Sequence, residues 1–180
     1  MTPVRRLLLP AVALLLAAAP AAQAATSATG NSSVTANIAS TLEATFPGNY
    51  AFGGLAAGNN LSTEQVTTVK SNTSWGLKVA TDLADGRMAE WAGLIYVPAV
   101  GKKLTNPLEW SLSSIAGAAQ PSAWNAFSST PASVVTSQAA TDNTGSTVGV
   151  KYRQNVSYAD QDASPNTYRI QVSYTAQQGF

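Results

Sequence analysis

The residue types that carry most enzyme chemistry are scarce in this chain. Its 180 residues include no histidine and no cysteine, so a Ser-His-Asp triad, a Cys-His pair and a thiolate zinc site are all excluded. A glycosidase needs two carboxyl groups that face each other across a cleft. Spacing favours no pair among the candidates Glu43, Glu64, Glu90 and Glu109. We therefore predict a protein that is not an enzyme.

Oxygen atoms remain as ligands for a metal ion. Asp160, Asp162 and Asn166 lie close together in the sequence, and carboxylate and amide oxygens are ligands that calcium prefers. The segment lacks, however, the ligand density and the glycine of an EF-hand loop. A hydrated loop between two strands is the favoured interpretation, and we predict neither a bound metal nor a cofactor.

The N-terminus has the plan of a secretory signal peptide. Arg5-Arg6 gives a basic start, the run 7–19 is largely apolar, and Ala22-Gln23-Ala24 offers small residues at the two positions that a signal peptidase recognises. We predict that residues 1–24 are this signal peptide and that residues 25–33 form a flexible leader.

A transmembrane anchor is the competing interpretation of the same segment. Pro10 and Pro20 interrupt the apolar run, which is shorter than the ~20 residues that a spanning helix needs. No later stretch is long and apolar enough to cross a bilayer. We predict a protein that is secreted to the extracellular cell surface and has no integral membrane span after cleavage.

The charge balance of the exported chain is nearly neutral. Removal of residues 1–24 takes away two of the ten basic residues and no acidic one, which leaves eight basic against nine acidic residues and a net charge of −1. The charged fraction of the whole chain is 11%, well below the ~25% of ordinary soluble domains. This balance gives no electrostatic support for a nucleic-acid partner.

The clearest structural pattern lies near the C-terminus. Every second residue of the segment 168–176 is apolar or aromatic: Tyr168, Ile170, Val172, Tyr174 and Ala176. The intervening residues are polar. A period of two predicts a strand with one face on a core and the other in water.

Similar patterns recur along the chain and predict its fold class. The segments 64–71 and 74–81 are expected to form a β-hairpin, with Trp75, Leu77 and Val79 facing the core. The strands 148–158 and 168–176 are expected to form a second hairpin. Helical spacing of apolar residues in Asp82–Trp91 indicates one short helical turn. We predict an all-β protein, a single antiparallel Ig-like β-sandwich over residues 34–180.

Two of these segments carry a family resemblance. Trp75-Gly76-Leu77 fits the Trp-x-Leu signature of WxL domains, which are bacterial surface domains. Their distal motif, Tyr-x-x-x-Leu-Thr-Trp-x-Leu, lies close to the C-terminus, in register with residues 168–176. Tyr168 matches this motif and Val172-Ser173 are conservative replacements, whereas Tyr174 and Ala176 stand where the family has Trp and Leu. The chain thus resembles the family in both motifs and departs from it in the distal one.

The resemblance implies an exported β-sandwich that attaches non-covalently to the cell wall, with envelope glycan or peptidoglycan as its partner. The candidate binding residues are then those of the two motifs, namely Trp75, Leu77, Tyr168, Val172 and Tyr174. The alternative is that these side chains are core residues on the inward faces of their strands, because buried aromatic residues usually serve packing.

Other functions remain open at this stage. If the partner is glycan, further aromatic side chains could stack on sugar rings: Trp91, Trp110 and Trp124. The alternative partner is a second copy of the chain, as in a pilin-like surface fibre whose subunits donate the segment 34–46 to the sheet of the next copy. An outer-membrane component is a weaker hypothesis. It rests on the terminal Phe180, which no alternating lipid-facing strand precedes.

Overall fold

A computed structural model describes residues 32–97, 101–120 and 122–179. The predicted signal peptide, most of the predicted leader and Phe180 lie outside these ranges. Residues 32–37 are exposed and have no regular structure. A compact unit begins at Ile38 and contains all the strands of the described chain. These strands are β1 (Leu42–Thr45), β2 (Gly58–Leu61), β3 (Gln65–Ser71), β4 (Trp75–Thr81), β5 (Ala89–Trp91), β6 (Leu108–Ile115), β7 (Ala118–Ala119), β8 (Asn125–Ala126), β9 (Ala132–Gln138), β10 (Ser146–Val156), β11 (Thr167–Arg169) and β12 (Val172–Gln178).

The strands form two larger sheets and one small one. The first sheet has the order β1-β3-β10-β6-β7, with β2 also on β10 and β8 also on β6. The second sheet has the order β12-β4-β9, and β11 pairs with β5 alone. Every strand pair is antiparallel. The predicted all-β antiparallel fold is therefore confirmed, and the sheets are consistent with a β-sandwich. The Ig-like assignment stays a prediction.

Alternation of buried and exposed residues explains why these segments are strands. Along β4, Trp75, Leu77 and Val79 are buried as predicted. Along residues 168–176, every even position is half-buried and every odd position is exposed, which confirms the predicted period of two. Residues from both larger sheets share one apolar core, whose members include Val69, Trp75, Leu77, Leu108, Trp110, Val135, Val148, Val150 and Tyr152.

Both predicted hairpins are wrong. β3 pairs with β1 and β10, whereas β4 pairs with β12 and β9, so the connection at Asn72-Thr73 carries the chain from one sheet to the other. The loop 159–166 likewise leads from β10 to strands outside the first sheet. The physical reason is that a period of two identifies the inward face of a strand but not the strand beside it.

The predicted helical turn at Asp82–Trp91 is also wrong, since no described residue is helical. The segment begins with a single turn, in which the amide of Gly86 donates to the carbonyl of Leu83 at 3.0 Å. Gly86 has a φ of +64°, which ends any helical continuation. Ala89 then enters β5, opposite Arg169 of β11.

Polar contacts supplement the apolar core at two places. The Tyr152 hydroxyl of the first sheet is hydrogen-bonded to the Tyr174 hydroxyl of the second. Near the ends of the compact unit, the Gln178 side-chain amide donates to the carbonyl of Thr41 at 2.6 Å and to the hydroxyl of Ser71 at 2.9 Å. Side chains therefore connect the sheets both within the core and at the edge.

Replacement of Gly86 by alanine tests how tightly the turn after β4 is packed. A Cβ atom there would lie 2.0 Å from the backbone oxygen of Phe127. Gly117 has a similar φ of +76° but open space around it, so Gly117→Ala is the matched control for backbone strain. We expect Gly86→Ala to lower the free energy of unfolding by about 1–3 kcal/mol more than Gly117→Ala, as measured by urea denaturation. Equal losses would contradict this packing.

Replacement of the paired tyrosines tests the polar link between the sheets. Tyr174→Phe leaves the buried Tyr152 hydroxyl without its partner, so we expect a loss of about 1–3 kcal/mol in unfolding free energy. Tyr152→Phe combined with Tyr174→Phe should cost less than the sum of the single changes. A double-mutant cycle in urea measures this coupling, and strict additivity would show that the hydroxyls do not interact.

The same pair predicts a loss of stability at alkaline pH. Burial raises the pKa of both phenols, and the neighbouring Tyr152 raises that of Tyr174 further. The unfolded chain releases these protons near pH ~10, whereas the folded chain retains them. The contribution of the two phenols to the free energy of unfolding is therefore complete below pH ~10 and is lost as the pH rises. The unfolding free energy of Tyr174→Phe should fall less steeply above pH ~10. Tyr158→Phe changes a 98% exposed residue, so its free energy of unfolding should fall with pH as steeply as that of the unmodified protein.

Candidate functional site

The proximal motif lies in the core. Trp75 and Leu77 have no exposed surface, and the indole nitrogen of Trp75 donates to the carbonyl of Ala139 at 3.0 Å. Its one polar atom is thus satisfied within the protein, as buried indoles usually are. Any ligand contact near this motif must come from other residues.

The structure brings the two motifs together. β4 carries the proximal motif and pairs with β12, which carries the second half of the distal one. In this pairing Leu77 lies opposite Ala176, and Thr81 lies opposite Val172. Tyr174, opposite Val79, is half-buried and packs against the core. The two motif segments therefore form one structural unit, although they are far apart in sequence.

Tyr168 lies apart from this pairing. It belongs to β11 and lies opposite Glu90 of β5, because the chain leaves the strand at Ile170-Gln171. At this break, the amide of Gln171 donates to a carboxylate oxygen of Asp82 at 2.9 Å. The predicted continuous strand 168–176 is therefore two strands that pair with different partners.

A cleft lies beside the distal motif, and we call it cleft A. It has a volume of about 530 Å³, and its lining includes Phe46, Asn49, Tyr50, Arg169, Gln171 and Tyr174. One wall is the irregular segment that follows β1, and the other wall is the break between β11 and β12. Cleft A therefore combines aromatic rings with amide and guanidinium groups.

A second cleft, cleft B, adjoins cleft A. It has a volume of about 760 Å³, and its lining includes Tyr50, Phe52, Leu55, Asp162, Asn166 and Tyr168. Both clefts share Tyr50, Phe52 and Met88. We call the two clefts together the groove. Val172 and Tyr174 line cleft A and Tyr168 lines cleft B, so three of the five predicted site residues meet at the groove.

Aromatic packing fixes the wall that the sequence interpretation missed. The Tyr50 ring packs edge to face against Phe52, with centroids 5.0 Å apart, and against the Tyr152 ring at 6.3 Å. Phe46 stacks on Tyr174 at 6.1 Å. Residues 47–60 are irregular apart from the start of β2. Tyr50 and Phe52, two aromatic residues in a segment otherwise rich in glycine and alanine, were the available signal.

The charged groups near the groove are already engaged by the protein. The Arg169 guanidinium lies 4.2 Å above the centre of the Trp91 ring. The Asp160 carboxylate accepts hydrogen bonds from the amide and hydroxyl of Thr105, both at 2.7 Å, and from the amide of Ser157 at 2.8 Å. Burial opposes ionisation of Asp160, but these hydrogen bonds outweigh it and lower its pKa. Asp160 thus links the segment around Thr105 to the turn that begins at Ser157.

The tryptophans considered for sugar stacking occupy different environments. Trp110 is buried in the core. Trp91 and Trp124 are half-buried, and each has an arginine over its ring, Arg169 at 4.2 Å and Arg153 at 4.6 Å. None of the three lines the groove.

The described ranges contain neither a cluster of metal-ligating side chains nor a membrane-spanning helix. Residues 32–97, 101–120 and 122–179 bring together no group of three or more acidic side chains that could hold a metal ion. Within the same ranges, no helix has the length and apolar character needed to cross a membrane.

Comparisons with protein-family models, with curated proteins and with solved structures find no match to this chain. The WxL resemblance therefore rests on the two sequence motifs alone.

Proposed function

We propose that this protein is an exported, non-catalytic surface domain that binds cell-wall or envelope glycan in the groove. The observation that carries the proposal is the position of the distal motif. Residues between Tyr168 and Tyr174 line both clefts, while the proximal motif lies on the neighbouring strand β4, opposite Ala176–Gln178. Of the two motifs that carry the family resemblance, the distal one thus borders the groove, and the proximal one is buried.

The chemistry of the groove suits sugars. Sugar rings have apolar C–H faces, which pack on aromatic rings, and hydroxyl rims, which need planar hydrogen-bonding groups. The groove offers Tyr50 and Phe52 for the faces, and the amides of Asn49, Gln171 and Asn166 for the rims. Specific ligand sites commonly combine an apolar lining with a few such polar groups. Two adjoining clefts also suit a polymer better than a single small molecule.

The carboxylates of the groove favour binding over catalysis. A general acid at neutral pH needs a raised pKa, whereas that of Asp160 is lowered by its hydrogen bonds. Asp162 accepts from the amide of Ser164 at 3.0 Å, so this carboxylate is engaged within its own loop. Export itself rests on the sequence pattern of residues 1–24.

A second candidate function is strand donation in a surface fibre. The apolar side chains of Val34 and Ile38 are almost fully exposed, and β1 is a four-residue edge strand that pairs on one side only, with β3. Exposed edges of this kind accept or supply strands between molecules. The proposed donor is the predicted segment 34–46, of which only Leu42–Thr45 is a strand here.

Sedimentation with isolated cell walls tests the glycan proposal. We expect residues 25–180 to pellet with purified peptidoglycan, and we expect Tyr50→Ala to weaken binding about tenfold or more, ~1.4 kcal/mol. Gln171→Ala should weaken it without disturbing the aromatic packing. Tyr158→Ala, which removes an exposed ring outside the groove, should bind like the unmodified protein. Absence of binding, or equal loss in all three variants, would contradict the proposal.

Size-exclusion chromatography and electron microscopy test strand donation. If the segment before β1 is donated, the chain should form oligomers or fibres, and Val34→Ser with Ile38→Ser should abolish them, because the donor then loses its apolar side chains. Leu61→Ser, at an exposed position on β2, is the matched surface control. A monomer at all concentrations would exclude this function.

A further inference from the structure

The turn after β5 presents aliphatic side chains to solvent. Leu94 is 88% exposed and Ile95 is 62% exposed. Ala92 and Gly93 before them are also exposed, so four successive residues carry no hydrogen-bonding side chain. We call residues 92–95 the apolar tip. A contiguous apolar projection differs from the scattered single residues that protein surfaces normally expose.

The apolar tip is held in a fixed position. The amide of Ala92 donates to the carbonyl of Ile95 at 3.0 Å, and the amide of Val97 donates to the carbonyl of Glu90 at 2.9 Å. Trp91 and Tyr96 form a bridge at the base of the turn. The turn is therefore a short hairpin that needs no rearrangement before it meets a partner.

Two aromatic residues form the layer beneath the tip. Trp91 and Tyr96 pack edge to face, with ring centroids 4.9 Å apart. The Tyr96 hydroxyl donates to the Asp82 carboxylate at 2.6 Å. Burial, with a further contribution from Asp82, raises the pKa of Tyr96, so this hydroxyl stays a neutral donor.

Charged groups form the next layer, and their signs balance. Arg169 lies over Trp91, and Asp82 accepts from Tyr96. The Glu90 carboxylate accepts from the backbone amide of Lys102 at 3.0 Å; the Lys102 ammonium donates to the carbonyl of Asp162 and interacts with Glu90 through its charge. Two cations thus accompany two anions around the base of the hairpin. An apolar end, an aromatic belt and a charged base follow the polarity profile of a lipid interface from the acyl chains outward.

We propose that the apolar tip inserts into a phospholipid surface. None of its four side chains can form hydrogen bonds, so the tip cannot recognise a sugar or a peptide in that way. The balanced charges of the base provide no electrostatic attraction, so apolar burial drives the contact. Two aliphatic side chains give a weak and reversible association. The tip lines neither cleft, so this surface acts independently of glycan binding.

Vesicle binding of residues 25–180 tests this proposal, since removal of the signal peptide excludes its own membrane affinity. We expect partial sedimentation with phosphatidylcholine vesicles at millimolar lipid, little change when phosphatidylglycerol is added, and little dependence on salt. Leu94→Ser with Ile95→Ser should reduce binding at least tenfold. Because these positions are exposed, the variant should retain its thermal stability and its binding to cell walls. Its matched control is Leu61→Ser, at another exposed aliphatic position.

A fluorescent label locates the contact. The chain has no cysteine, so Leu94→Cys and Tyr158→Cys each give a single site for an environment-sensitive dye. Insertion should shift the emission of the dye at residue 94 to shorter wavelength on addition of vesicles, and leave that at residue 158 unchanged. No vesicle binding, or equal shifts at both sites, would overturn the proposal. Concentration-dependent dimers that Leu94→Ser and Ile95→Ser abolish would overturn it as well, because a second copy would then cover the tip.

Discussion

Burial of one apolar layer is the constraint on which this fold depends. The chain has no cysteine, so no disulfide can restrain the sheets of this protein. Trp75 and Leu77 of the second sheet, with Val148 and Val150 of the first, have no exposed surface. The strands that carry them must therefore stay in contact for the domain to exist. Tyr152 of β10 belongs to this layer and also lines cleft A, so burial of the layer holds this part of the groove in place and favours recognition without rearrangement.

The sequence predicted which face of a strand is buried, but it did not predict which strands pair. Trp75 and Leu77 could be placed inward from their alternation, and so could the even positions of residues 168–176. The same alternation cannot distinguish a hairpin from a crossing between sheets, because both bury the same face. It also cannot show that Ile170-Gln171 leaves the strand, since that break is fixed by a backbone contact with Asp82, distant in sequence.

The groove illustrates a different limit of sequence interpretation. Tyr168 and Tyr174 were identified as candidate residues through the family resemblance, and both border the groove. The opposite wall comes from an irregular segment with Tyr50 and Phe52, which has no periodic pattern. More than 100 residues separate the two walls along the chain. The stacking of Phe46 on Tyr174 and the packing of Tyr50 against Tyr152 bring them together, and such contacts have no local signature.

The contact of Gln178 with Thr41 has a consequence for how the domain can be connected. One side chain spans the distance between the first and last strands of the compact unit. The two ends of the strand-containing part of the described chain therefore lie side by side, as is common in domains that tolerate insertion. A short linker could join them and allow new termini to be opened elsewhere. The domain could equally be inserted into a loop of a host protein without displacing the two ends of that loop.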